Sequence, residues 1–347
     1  MLTGKKKKVW SLIGKNTASF AFCMGCIILM STLFGQENVL PSVAVVVGLM
    51  SFPLMDVKTD HLQFSAAIFL LFPLIGLTSM LSLVNVWLSI VCTFGTVLLI
   101  MVLTIEPRDL KPFMTFMLCF VFSQGSPVAP GGFGMRMATL TLGGLAVALV
   151  TYFTWRHKYK DSEQHSLRTQ VHLSARHRSF ILRMALGLTL AGILGFALHL
   201  KKPMWISIVV LSLTQIDIKE THQRIKYRVI ATIAGVFLFL LFCQYLIPQE
   251  YIFYFIIFLG YLSTWVKEYK YTQVINAINA LNANLVLFDT NTAIGNRFLL
   301  LGIGIAIVLG MYLLDRVCRH FIGKREKRKE WEDAPSGPPV LEMPPEI

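Results

Sequence analysis

Two arginines stand at matching places inside apolar sequence. Arg136 and Arg297 lie two residues after Gly134 and Gly295, each near the start of a long apolar run, and they are 161 residues apart. A guanidinium stays charged in a protein and grips a carboxylate through paired donors. A helix start beside it adds free N–H groups and the positive end of a dipole. One reading is a pair of anion-binding sites; the other is interfacial arginines reaching back to lipid head groups. A second set is amide-based: Gln273, Asn276, Asn279 and Asn282 recur every third residue, with Asn284 close by. At that spacing they wind slowly round a helix as one slanted polar stripe. Such a stripe walls a hydrated pathway, or else it links helices through hydrogen bonds of ~0.6 kcal/mol each. A third set lies in two turns. Asp56, Lys58 and His61 return as Asp217, Lys219 and His222, again 161 residues on and now with Glu220. Histidine titrates near neutral pH, so the Asp–His turns are candidates for carrying coupling protons. The plainer alternative is a charged turn that caps the next helix.

These groups need scaffolds, and the constant offset says what kind. Equal spacing over a long stretch points to a chain built twice, as two copies of a whole helical bundle. Composition sets the medium. Hydrophobic residues make up 55% of the 347 and charged ones only 15%, against about 25% charged in soluble chains. Several apolar stretches are long enough to cross about 30 Å of hydrocarbon. The expectation is an all-α integral membrane protein with about twelve transmembrane helices in two parallel six-helix repeats. The first repeat, 1–155, has spans at 13–35, 39–55, 62–82, 84–105, 112–124 and 134–154. A cytoplasmic linker follows at 156–178. The second repeat, 179–322, has spans at 179–200, 203–216, 224–247, 249–266, 271–288 and 294–314, and a disordered cytoplasmic tail is expected over 323–347. The spans at 112–124 and 203–216 are short enough to be broken or re-entrant.

Loop charge gives the orientation. KKKK at 5–8, DVKTDH, EPRDLKP, the linker, DIKETHQRIKYR and the tail are rich in Lys and Arg; GQEN, SQGSPVAPGGFG, IPQE and FDTNTAIG lack Lys and Arg, with Lys201 and Lys202 an exception among outward loops. By the positive-inside rule both termini are cytoplasmic. Even crossing numbers then make the repeats parallel. The net charge of +13 follows the same pattern, and no basic face with interleaved aromatics speaks for nucleic acid. The basic run after Gly323 suits anionic membrane lipid. Five of six cysteines fall in apolar runs and read as packing residues. The linker histidines, His157, His165, His172 and His177, fit no metal-ligand spacing. The first helix is expected to be retained, because no small-residue cleavage site follows it. No protease, hydrolase or phosphate-loop motif occurs, so the chain is read as no enzyme, with no cofactor and no metal.

Residues 203–235 carry a resemblance. Pro203 and Trp205 begin a short span; a turn and a helix follow with Arg224, Arg228, Ala231, Thr232 and Gly235 in an R-x-x-x-R-x-x-G-T-x-x-G-like order. This is similar to the fusaric acid resistance, or aromatic acid exporter, superfamily. Ala231 stands where that family prefers glycine, and the first half has no arginine pair. Larger members insert a soluble domain between halves, and here only the linker stands. The resemblance implies efflux of small organic, aromatic acids across a bacterial inner membrane, with a periplasmic membrane-fusion adaptor as partner and a homo-oligomer as a further option. It is also similar in plan to plant malate channels, where two six-helix units face an anion path. The sequence expectation is therefore a path between the halves, faced by the amide stripe and by Arg136 and Arg297. An uncoupled anion channel and a non-transporting scaffold are the alternatives.

Overall fold

The computed structural model describes residues 2–159, 164–198, 200, 202–266, 268–285 and 289–332. Thirteen α-helices account for nearly all of them: α1 (Leu2–Phe34), α2 (Val39–Ser51), α3 (His61–Leu81), α4 (Val86–Thr104), α5 (Phe113–Gly125), α6 (Phe133–Lys158), α7 (Leu167–Ser174), α8 (Arg178–Ala197), α9 (Met204–Leu213), α10 (Ile218–Phe239), α11 (Ile252–Ser263), α12 (Tyr269–Leu285) and α13 (Thr290–Glu332). Eight helical segments are long and apolar enough to cross a membrane, while α5 and α9 are apolar but shorter. The chain is an all-α, multi-pass membrane protein. Six helices precede α7 and six follow it.

Local chemistry sets the helix starts. The side chains of Asp60 and Asn85 accept from the third backbone N–H of α3 and α4, each at 2.8 Å. Asp217 caps α10 by accepting from its second backbone N–H, Lys219 N, at 3.1 Å. Each cap removes one orphan donor at a helix end. Proline sets φ just before α5 and α9, at Pro112 and Pro203. The last helix runs past the expected boundary at 322 and on through Glu332. Its KREKRKEWE stretch is composed largely of strong helix formers, which outweigh a composition that reads as disorder. The remainder of the expected tail, 333–347, lies outside the described residues, as do 160–163 of the linker and 286–288 at the end of α12.

The first six helices close on an aromatic core. Phe52 and Phe116 lie 5.2 Å apart, Phe72 and Phe116 5.4 Å, and Phe64 and Trp155 5.5 Å. The Trp155 indole donates to Phe52 O at 3.0 Å. A second apolar cluster, around Phe239, Ile278 and Leu281, lies within the later helices. The seam between the two sets is made by α4 on α8 and α5 on α9. Phe113, Met117, Met184, Leu188 and Leu211 belong to one continuous buried cluster across it. The linker is docked rather than solvated. Asp60 N donates to His165 O at 2.9 Å and His165 N to Lys58 O at 3.0 Å, and His177 meets Glu106 at 2.7 Å. The exposed backbone of the 54–60 turn needs partners, and the linker supplies them.

Candidate functional site

Helix α9 is only ten residues long. It stops where Thr214 turns extended, with ψ 113°, and its last carbonyls need donors. Side chains supply them. Ser212 O accepts from Arg224 Nη1 at 3.3 Å and from Gln215 Nε2 at 3.2 Å. Arg183 donates to Gln215 O and Ile216 O at 3.3 and 3.0 Å. It also pairs with Asp315 at 3.0 Å and lies 4.2 Å over the Tyr312 ring. The Tyr312 hydroxyl donates to Gln215 O. Positive side chains suit the negative end of a helix dipole. Arg224 and Arg228, four residues apart, share one face of α10 and both reach back to α9, Arg228 through the Ser212 hydroxyl. Arg224 also pairs with Glu220 at 2.9 Å and stacks 4.9 Å over Tyr269.

One step deeper the partners are neutral groups. Arg228 and Arg297 are 3% and 4% exposed. Arg297 lies 5.1 Å over the ring of Trp205, and Arg228 has the Ser212 hydroxyl and the Tyr269 phenol beside it. Arg228 sits about 15 Å along α10 from its start and Arg297 about 10 Å along α13, at 1.5 Å per residue. Among the described residues, Arg228 Nε, Arg297 Nε and the Trp205 indole N–H find no acceptor, and no carboxylate pairs with either guanidinium. Close helix packing surrounds these groups. A Cβ on Gly235 would stand 2.5 Å from Ala277 Cβ, and one on Gly304 2.5 Å from a Val209 methyl. Those glycines let α10 approach α12 and α13 approach α9.

Arg136 is a different object. It is fully buried. It donates to Asn38 Oδ1 at 2.5 Å, to Ser123 O and Glu37 O at 3.0 Å, and to Ser126 O at 2.6 Å. Most of its donors are therefore taken by the α1–α2 connection and the end of α5. The two arginines do not converge: every partner of Arg136 is in the first half and every partner of Arg297 in the second. The expected pair of anion-binding sites is thus an unequal pair, with the Arg136 donors bound to the chain's own carbonyls. The 161-residue offset matches their positions but not their neighbours, since Ala44 and Ala67 stand 161 residues before Trp205 and Arg228.

The amide stripe divides too. Gln273 is buried, Asn279 and Asn282 are half-buried and Asn276 is exposed. It lies on α12, which packs on α10 and α13 rather than on the seam. The Asn279 carbonyl oxygen is buried without a partner. The seam holds two cavities instead. One of about 190 Å³ is lined by Ser82, Ser89, Gln124, Gly192 and Ser207. The other, of about 350 Å³, lies beside Arg108, Lys111, Gln215 and Glu220. Lys111 donates to Gln215 Oε1 at 3.3 Å across it. Both Asp–His turns serve the backbone. Asp56 accepts from Lys58 N at 3.2 Å and Asp217 caps α10. The Nδ1 of His222 lies 3.2 Å from Ile218 O, and the His61 ring meets Gln164 at 3.1 Å. Thr232 bonds to Arg228 O within α10. Sequence reasoning does not single out Arg183 or Lys111. An arginine five residues into the apolar run 179–200 was the available signal for the first.

Fold and site define a multi-pass membrane protein with two buried arginines, Arg228 on α10 and Arg297 on α13, that pair with no carboxylate among the described residues. Residues 190–311 match the family described as fusaric acid resistance protein-like, a likeness to a family of membrane efflux and transport proteins that covers about a third of the chain. The matched segment contains Trp205, Arg228 and Arg297 and excludes Arg136. No curated protein and no solved structure matches the chain.

Proposed function

We propose that the protein is an inner-membrane exporter of small organic acids, aromatic ones among them, and that the acid passes through the second six-helix unit. The observation that carries this reading is that Arg228 and Arg297 are both buried and that, among the described residues, neither is paired with an acid. Burying a charge without a partner costs several kcal/mol, so such a pair calls for an anion from outside the chain. The route runs from Arg224 at the charged start of α10, past Arg228, to Arg297 and Trp205. Gln273, Asn279 and Asn282 flank it on α12, and Arg136 braces the first unit. In this reading the halves are parallel repeats that together make twelve crossings, with both termini cytoplasmic. Proton coupling would draw on Asp56, His61, Asp217 and His222 at the helix starts. A periplasmic adaptor would take the solute onward.

One observation favours a second reading, an uncoupled anion channel: among the described residues no carboxylate contacts the two arginines. Reconstitution into liposomes separates the two. Benzoate efflux that needs an inward proton gradient means an exporter; current without any gradient means a channel. Arg297→Gln is expected to reduce either flux at least tenfold, the effect of about 1.4 kcal/mol. Full flux in a correctly inserted Arg297→Gln protein overturns the assignment.

A further inference from the structure

We infer that the seam cavity of about 190 Å³ binds small uncharged ring compounds that carry a hydroxyl, phenols and aromatic alcohols, and that such a ligand bridges the two sets of helices. The cavity stands apart from Arg228 and Arg297, neither of which lines it. Both sets build its walls. Ser82 lies just after α3, Ser89 in the first turn of α4 and Gln124 at the end of α5; Gly192 and Ser207 face them from α8 and α9. The space is open because of one glycine. A Cβ on Gly125 would collide with Met204, and one on Gly195 would stand 2.5 Å from Pro203 Cβ, so those two glycines admit a neighbour. A Cβ on Gly192 meets only the Ser89 hydroxyl, at 3.4 Å. Gly192 admits no packed side chain; it leaves room in front of Ser89.

The polar groups on that space are placed but not used up. Gln124 Nε2 donates to Ser82 Oγ at 2.7 Å and to Thr93 Oγ1 at 3.1 Å, and Ser82 Oγ donates on to Ser79 O at 2.7 Å. The amide is held by its donors, and its carbonyl oxygen is left to accept. The hydroxyls of Ser89 and Ser207 are on residues 3% and 6% exposed and make no hydrogen bond among the described residues. Helical serines often bond back to the carbonyl four residues earlier; these two do not. One acceptor and two hydroxyls that both donate and accept therefore border one space. No Asp, Glu, Lys, Arg or His lines it. A carboxylate there would be a buried charge without a partner, which costs several kcal/mol. A neutral hydroxyl finds both a donor and an acceptor. Volume sets the size: an apolar cavity of about 150 Å³ holds benzene, so this one has room for one ring and a small substituent. Ala191, Phe196 and Met204 supply its apolar wall.

The test follows the unfolding temperature of the whole protein in a non-ionic detergent at neutral pH. Benzyl alcohol is compared with toluene, which lacks the hydroxyl, and with benzoate, which carries a charge. Benzyl alcohol is expected to give a saturable rise. Toluene is expected to need a roughly tenfold higher concentration, the effect of about one hydrogen bond, and benzoate to give no rise. Gly192→Leu fills the space from the α8 side and is expected to abolish the benzyl alcohol effect while leaving the protein without ligand at least as stable. Where Gly192→Leu does not fold, Gly192→Ala takes its place and is expected to raise the concentration needed. Ser207→Ala is expected to bring benzyl alcohol and toluene closer together, which a loss of packing alone does not do. Benzoate acting at an equal or lower concentration than benzyl alcohol overturns the inference, as does an undiminished rise in the Gly192 variant. Toluene matching benzyl alcohol in the unaltered protein overturns it as well. Added phospholipid that raises the unfolding temperature and removes the benzyl alcohol effect assigns the cavity to an acyl chain and overturns it too.

Discussion

Arg136 and Arg297 occupy matched positions and should fail in opposite ways. Arg136→Gln strips donors from the carbonyls of Glu37, Ser123 and Ser126. Buried acceptors left open cost about 1–3 kcal/mol each, so a loss of about 3 kcal/mol or more is expected in denaturant unfolding. Arg297→Gln removes a buried charge that has no carboxylate, so in anion-poor buffer it is expected to leave stability unchanged or raise it. Equal destabilisation by both would remove the distinction on which the site rests. Lys111 gives a pH test. Burial, then the nearby Arg224 charge, holds its amine below the ordinary lysine value, against Glu220, which pulls the other way. Below the lowered value the folded state bears the whole penalty of a buried ammonium. Between that value and 10.5 the amine is neutral in the fold and still charged in the unfolded chain, so this group's contribution to stability rises with pH. Lys111→Met is expected to flatten that rise in thermal unfolding, with Lys202→Met as a separate control because burial lowers Lys202 likewise. A wild-type rise that survives Lys111→Met would assign it elsewhere. At this scale sequence showed which residues were costly but not what they touch: an arginine that caps carbonyls and one that lies over an indole ring look alike in one dimension.

Helices were far more legible than their partners. Apolar run length fixed α3, α4 and α8 to within a few residues, because a membrane helix is written in consecutive residues. The packing of α12 was not written there. Its amides recur every third residue, yet Gln273 turns inward and Asn276 outward, because a three-residue step drifts round a 3.6-residue helix. What fixes α12 is a small-residue contact, Gly235 against Ala277. Gly235→Ala adds a Cβ that would lie 2.5 Å from Ala277 Cβ and 3.1 Å from Val274 O. The helices must part, at a cost of about 1–3 kcal/mol, and the distance between α10 and the site helices changes with them. Reduced thermal stability and reduced anion flux are expected together. Ala277→Gly in the same chain is expected to restore much of both, a coupling that independent sites do not show.

At the scale of the whole molecule, the 161-residue offset predicted a shared wet seam, and the seam is largely apolar. A duplicated fold would repeat backbone positions without obliging both halves to keep the same chemistry, and the first six helices fill their interior with Phe52, Phe64, Phe116 and Trp155. The proposed duplication still makes a claim about topology. Parallel halves need an even number of crossings before α8, so the short helix α5, with α2, must be counted as passing through. Then Glu37, before α2, and Glu250, before α11, share the outer face, while Lys58 and Lys219 share the inner one. One re-entrant helix in the first half would reverse the second half and place Glu37 and Glu250 on opposite sides. Single cysteines at these four positions, in a chain whose native cysteines are replaced by serine, can be probed with a membrane-impermeant thiol reagent. Labelling of positions 37 and 250 in intact spheroplasts, and of 58 and 219 only after permeabilisation, is the expected pattern. Labelling of 37 and 219 together would mean antiparallel halves, and would put the charged start of α10, with Arg224 and Arg228 leading inward from it, on the exit side of the membrane.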